Sequence, residues 1–196
     1  MSTVRHATPA DLPGAYRVCL LTGDAGRDGT ALHRDPDLLG HVFVGPYVTG
    51  SPDLAYVVED EGGIAGYCLA VADTRAFEAW QEAAWWPPLR ERYPLPADDT
   101  PDGELVRLLH APSTAADATV AAWPAHLHID LLAHLRGQGL GRTLVERQMA
   151  DLAARGIPGL HLEVAADNPG GIAFYRRLGF AEIARGKGSI VMARAL

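Results

Sequence analysis

Residues 136–142 read RGQGLGR, three glycines alternating with larger residues and an arginine at each end. The stretch lies between HLHIDLL (126–132) and TLVERQMADLAA (143–154). The first flank alternates with period two. Leu127, Ile129 and Leu131 share one face, and His126, His128 and Asp130 share the other, which predicts a strand. In the second flank Leu144, Val145, Met149, Leu152 and Ala153 recur at helical spacing, which predicts a helix over 140–155 that Gly156 stops and Pro158 keeps from resuming. A strand, a glycine turn and a helix therefore follow in order. The first turn of a helix has unpaired N–H groups and the positive end of its dipole. Glycines let those groups come close to an anion, and Arg136 and Arg142 add positive charge, so a pyrophosphate suits the turn.

Two familiar phosphate loops fail on spacing. A Walker loop needs Gly-x-x-x-x-Gly-Lys-Ser/Thr, and here Gly141 is followed by Arg142-Thr143. The dinucleotide fingerprint needs Gly-x-Gly-x-x-Gly, and here the order is Gly137-x-Gly139-x-Gly141. The pattern Arg/Gln-x-x-Gly-x-Gly/Ala does fit, as Arg136 to Gly141. It resembles the acyl-coenzyme A loop of the GCN5-related N-acetyltransferase (GNAT) family. Downstream, Asn168 precedes Tyr175 by seven residues, and FYRRLGF spans 174–180. Both features are similar to that family's next helix. The resemblance covers 126–194 closely and 3–73 more loosely. GDAGRDG (23–29), DPDLLGHVFVGPYV (35–48), EDEGGIAGYCLA (59–70) and a Trp-rich segment further resemble the acetyltransferase-like domain at the C-terminus of eukaryotic O-GlcNAcases and its stand-alone bacterial relatives. The coenzyme loop is degraded in the eukaryotic domain and intact here.

The resemblance implies an α/β (α+β) fold. Its mixed, mostly antiparallel twisted sheet has about six or seven strands flanked by helices and is splayed in the middle to hold acyl-CoA. It implies acetyl-CoA as cosubstrate, no metal, and direct acetyl transfer to an amine. The coenzyme contacts carried over are the backbone of Leu131 and Ala133, the loop Arg136, Gly137, Gln138, Gly139, Gly141 and Arg142, and Asn168 with Tyr175. Tyr175 is expected to protonate the departing thiolate. His128 and Asp130 are expected to act together as base on the amine, with Glu163 on the next strand a further candidate. Asp24 and Asp28 fall in the loop that borders the acceptor site in the family, where they either recognise a cationic amine or stabilise turns. Two other classes stand beside this reading. One is a module that binds acetyl-CoA without turnover, which coenzyme release with a panel of amines separates. The other is a metal-dependent hydrolase, because His126-x-His128-x-Asp130 also starts a zinc hydrolase signature; but Leu131 stands where that signature needs another histidine.

Composition sets the frame. The chain has 196 residues, 48% of them hydrophobic, enough for one domain with a sizeable core. Seventeen Lys and Arg against 24 Asp and Glu leave a formal charge of −7, which argues against a nucleic-acid partner. Cys19 and Cys68 lie in apolar runs and read as reduced core thiols. The N-terminus lacks a secretory apolar region and no run reaches membrane-spanning length, so a cytoplasmic protein with no membrane partner is expected, with a homodimer left open. Residues 1–196 read as a single domain with a Trp/Pro-rich insertion at about 74–122. Trp80, Trp85 and Trp86 in it either form a partner surface or cover the core. The remaining elements read as a strand at 3–7, a helix from Leu12 with Thr8, Pro9 and Asp11 at its start, and a helix at 36–45. A hairpin turning at Asp60–Gly63, a strand at 160–166, a helix from Asn168 and a closing hairpin turning near Lys187 follow.

Overall fold

The computed structural model describes residues 2–96 and 98–196. β1 (Thr3–His6) leads through a turn into α1 (Leu12–Thr22). The entry is pinned by Asp11, whose carboxylate accepts from the Thr8 N–H at 2.8 Å and from Arg5 at 2.7 and 2.8 Å. The helix expected at 36–45 is instead two short ones, α2 (Leu38–Phe43) and α3 (Gly45–Gly50). Val44 departs from helical geometry at φ −126°, ψ −54°, and Pro46 has no N–H to continue the ladder. β2 (Ala55–Asp60) and β3 (Gly63–Val71) form the expected hairpin, with the Gly62 N–H bonded to Asp60. Helices α4 (Thr74–Trp80), α5 (Trp86–Arg92), α6 (Pro101–His110) and α7 (Asp117–Ala122) precede β4 (Ala125–Leu131). Then come α8 (Leu140–Ala154), β5 (Gly159–Ala165), α9 (Pro169–Arg177), β6 (Ala181–Arg185) and β7 (Ser189–Ala195).

Among the described residues seven strands form one sheet in the order β1-β2-β3-β4-β5-β7-β6. Every neighbouring pair is antiparallel except β4–β5. This is the mixed, mostly antiparallel sheet expected. One face packs against α8 and α9 through Leu127, Leu144, Val145, Leu152 and Leu178. The other packs against α1–α3 through Val57, Tyr67, Leu69, Ala15 and Cys19. On α8 the buried stripe is Leu144, Val145, Gln148, Met149 and Leu152. Ala153, expected in that stripe, is exposed. Gln148 lies one turn from both Leu144 and Leu152, and its amide donates to the Leu54 carbonyl at 2.5 Å.

The tryptophans of 74–122 turn inward. Trp86 packs with Leu38, Val42, Leu89 and Leu109. Trp85 donates its indole N–H to the His41 carbonyl at 2.9 Å and stacks on Trp80. A Cβ on Gly45 would stand 2.5 Å from the Trp85 ring, and one on Gly50 would stand 2.6 Å from Trp80. The aromatic rings therefore sit directly on the α3 backbone, and these helices cover α2–α3.

Candidate active site

β4 and β5 pair only at Ala125 with Leu160 and His126 with His161. Beyond that point the strands part. β5 spends its other edge on β7 along its full length. On its far side, β4 stays in register with β3 to Leu131, and the Leu132 N–H bonds the Ala65 carbonyl at 2.9 Å. In an antiparallel ladder, residues alternate between bonding their partner and facing away from it. Leu132 and the even-numbered residues of β4 thus bond β3, and Leu127, Ile129 and Leu131 turn their N–H and C=O groups toward the gap. The sheet opens into a cleft of about 500 Å³.

The glycine loop closes the end of this cleft. Gly137 and Gly139 have φ of 76° and 82°, which residues with a side chain rarely adopt. Among the described residues no side chain caps the start of α8, and Gly139, Gly141 and Arg142 there line the cleft. Leu131, Arg136 and Gly137 line it as well. Two of the carried-over residues do not. Ala133 belongs to the short turn Ala133–Leu135 and is exposed away from the cleft. Gln138 points to the opposite side, where its amide donates to the His134 carbonyl at 2.6 Å and borders a separate hollow with Arg17 and Asp60. Arg136 is folded back. It donates to the Leu131 carbonyl at 3.0 Å and to the Gly26 carbonyl at 2.7 Å, tying the loop after α1 to the glycine loop.

α9 forms the opposite wall. Asn168 caps it, accepting from the Gly171 N–H at 2.8 Å. Tyr175 is only 9% exposed and packs edge-on against Phe174 and Phe180. It lines the cleft, and its hydroxyl has no hydrogen-bond partner among the described residues. Burial, and then the charge of Asp130, push this phenol well above its ordinary value, so it holds its proton at any physiological pH.

Asp130 reaches the cleft from the α1 side of the sheet. Its Oδ2 accepts from the Tyr67 hydroxyl at 2.7 Å and lies 3.2 Å from His128 Nε2. The structure thus brings His128 and Asp130 together, and joins to them Tyr67, which the sequence reading did not single out. Tyr67 is the register partner of Asp130, and no spacing within the sequence marks it. Asp24 and Asp28 stay outside the cleft. Asp24 pairs with Arg27 at 2.9 Å, and Asp28 accepts from the Thr30 N–H at 2.9 Å, so both carboxylates are engaged in turns of their own loop. Glu163 bonds Ser189 away from the cleft. His126 has both ring nitrogens engaged, Nε2 with Tyr47 and Nδ1 with Thr74, each at 2.8 Å. It therefore has no lone pair free to complete a zinc set with His128 and Asp130.

Residues 32–180 match the family model described as Acetyltransferase (GNAT) family. The chain belongs to this family. Among solved structures, SsHAT is similar over 99% of this chain and 98% of its own, at 41% identity and a TM-score of 0.92. The Protein O-GlcNAcase of Rattus norvegicus is 29% identical over 190 residues, 95% of this chain and 21% of that protein, so the chain spans about a fifth of that relative. The [Ribosomal protein bS18]-alanine N-acetyltransferase of Escherichia coli is 51% identical over 45 residues, 23% of this chain and 30% of that protein. No described helix is long and apolar enough to cross a membrane.

Proposed function

We propose that this chain binds acetyl-CoA between β4 and β5 and transfers the acetyl group directly to an amine. The observation that carries the reading is the parting of β4 from β5 over the glycine-capped start of α8, with Tyr175, whose hydroxyl has no partner among the described residues, lining the gap. The pyrophosphate would lie on the first turn of α8, with Arg142 beside it and Arg136 released from its carbonyls. The pantetheine arm would follow the edge of β4, where the Leu131 N–H bonds an acyl or amide oxygen, and Asn168 would border it from α9. The acceptor enters as an ammonium and must lose one proton, which the adjacent His128 and Asp130 would take. The neutral nitrogen attacks the thioester carbon, the C–N bond forms and the C–S bond breaks. Tyr175 gives its proton to the sulfur and regains one from the nitrogen that has become an amide. One proton leaves to solvent in the balance.

We read 74–122 as an insertion in a single domain and, given two free buried cysteines, place the protein in the cytoplasm. A second reading, acetyl-CoA binding without turnover, is favoured by one fact. The relative that aligns over 95% of this chain is named for a different activity. Thiol-detected coenzyme release separates the two readings. The acceptors to try are monoamines, polyamines and a peptide with a free N-terminal alanine, and acetylated product is verified by mass. Turnover with any of them supports transfer. Tight acetyl-CoA binding with no product from any would support the binding module.

A further inference from the structure

Tyr67 sits opposite Asp130 across β3 and β4, on the sheet face that packs against α1–α3. It is fully buried, and its hydroxyl has a single proton. That proton goes to Asp130 Oδ2 at 2.7 Å. The phenol oxygen then faces His128 Nε2, at 3.1 Å, only as an acceptor. The same nitrogen lies 3.2 Å from Asp130 Oδ2, and an ionised carboxylate is an acceptor too. Two acceptors converging on one ring nitrogen require a hydrogen on it. A neutral imidazole carries one N–H, so the lone pair of His128 is on Nδ1. Nδ1 has no hydrogen-bond partner among the described residues, and the side chain is one-third exposed. Phe43 and Tyr67 both stack with the ring, at centroid distances of 6.0 and 5.5 Å, and set its plane.

We propose that His128 Nδ1 is the atom that takes the proton of the acceptor ammonium, and that Tyr67 is the positioning residue that makes it so. The inference rests on the acetyl-transfer reading above. In the step, an N–H bond of the ammonium breaks, its electron pair stays on the amine nitrogen, and the proton joins Nδ1. The imidazolium formed is faced by the Asp130 carboxylate and passes its proton to solvent from the exposed edge. The other polar groups around it stay neutral. Tyr67 is buried, burial pushes the Cys19 thiol of α1 up to about 12, and His126, one step back on β4, is held uncharged by burial. Asp130 is then the charge that steers the ring. Without the phenol, one acceptor on Nε2 disappears and Oδ2 loses the donor that holds it in place.

The test reads the tautomer directly. Histidine-selective ¹⁵N labelling and long-range ¹H–¹⁵N correlation on the ligand-free protein, at about pH 8 where an ordinary imidazole is neutral, report which nitrogen is protonated. His128→Gln assigns the signals. His128 should show a protonated Nε2 and a bare Nδ1. In Tyr67→Phe the preference should fall by about three- to tenfold, the range one net hydrogen bond sets. A His128 protonated on Nδ1 in the unmodified protein would overturn the proposal, and so would a folded Tyr67→Phe with an unchanged ratio. If Tyr67→Phe does not fold, the unmodified protein still decides, because its spectrum needs no variant. With an amine found to turn over, Tyr67→Phe should lower kcat and leave the KM for acetyl-CoA within a few-fold. Failure of every amine would remove the transfer reading and leave the tautomer standing, so the two failures are distinct.

Discussion

Gly141 on α8 and Phe174 on α9 meet so closely that a Cβ on the glycine would stand 3.3 Å from Phe174 Cζ and 3.4 Å from a Leu131 methyl. The two helices that wall the cleft touch here, at the first turn of α8. Gly141→Glu should therefore displace Phe174 and place a negative charge where the pyrophosphate would lie. Acetyl-CoA at about 100 times its Kd should stabilise the unmodified protein by about 2.7 kcal/mol. The variant should show no acetyl-CoA shift in thermal melts, and an undiminished shift would locate the coenzyme elsewhere.

Gly139 poses a different problem. Nothing lies within 4 Å of its would-be Cβ, but its φ is 82°. Gly139→Ala should cost about 1–2 kcal/mol through backbone conformation alone. Urea unfolding measures this, and stability equal to the unmodified protein would show that the turn relaxes to another geometry.

Tyr175→Phe should fold as well as the parent, within about 0.5 kcal/mol, because among the described residues the hydroxyl forms no bond that the substitution removes. Acetyl-CoA affinity should stay within a few-fold, while turnover falls by about 10²-fold, the usual size of a general-acid contribution. Single-turnover transfer at the parent rate by the folded variant would remove Tyr175 from the mechanism.

His126 should make the protein acid-sensitive. Burial first, then His161 and His128, pull its pKa down to about 3. Unfolded, it titrates near the ordinary value of about 6.5. Between these values the unfolded chain binds a proton that the folded chain refuses, so stability is complete above about 6.5 and falls as the pH drops toward 3. At pH 5 the loss from this one group is about 2 kcal/mol relative to neutral pH, whatever the folded value below 5. Urea unfolding at pH 5 and 7.5 should show a smaller difference for His126→Gln than for the parent. Equal differences would assign the acid sensitivity to other groups.

Gly45→Ala should destabilise by about 1–3 kcal/mol, the range for overpacking. Its Cβ would meet the Tyr16 hydroxyl at 2.4 Å and the Trp85 ring at 2.5 Å. The melting temperature tests how firmly the tryptophan-bearing helices are seated on α3. An unshifted melt would mean that this layer yields.

Much of the cleft was legible in the sequence because its parts are local. A period-two strand, a glycine turn and an amphipathic helix are written in consecutive residues, and Asn168 and Tyr175 lie on one short helix seven positions apart. The residues that matched by position alone were less secure. Ala133 and Gln138 fit the loop pattern, yet Ala133 sits in the short turn after β4, outside the cleft, and the Gln138 side chain turns back to the His134 carbonyl. Asp24 and Asp28 fall in the loop after α1, and local turn geometry engages both. The break at Val44 was written in Pro46 and needed only the missing N–H to be read.

What the sequence determined by itself was the order of elements from β4 onward, the glycine-lined helix start and the face on which His126, His128 and Asp130 stand. Tertiary structure alone decided what those groups meet. Arg136 bonds the carbonyl of Gly26, 110 positions away, and Tyr67 is set opposite Asp130 only by the β3–β4 register. Trp85 finds the backbone of α3 across forty residues of chain. Local spacing specifies the period of a helix or strand, but register and layer packing come from burying apolar faces that are far apart in the chain, and a one-residue slip would turn every side chain of β4 to the other side of the sheet.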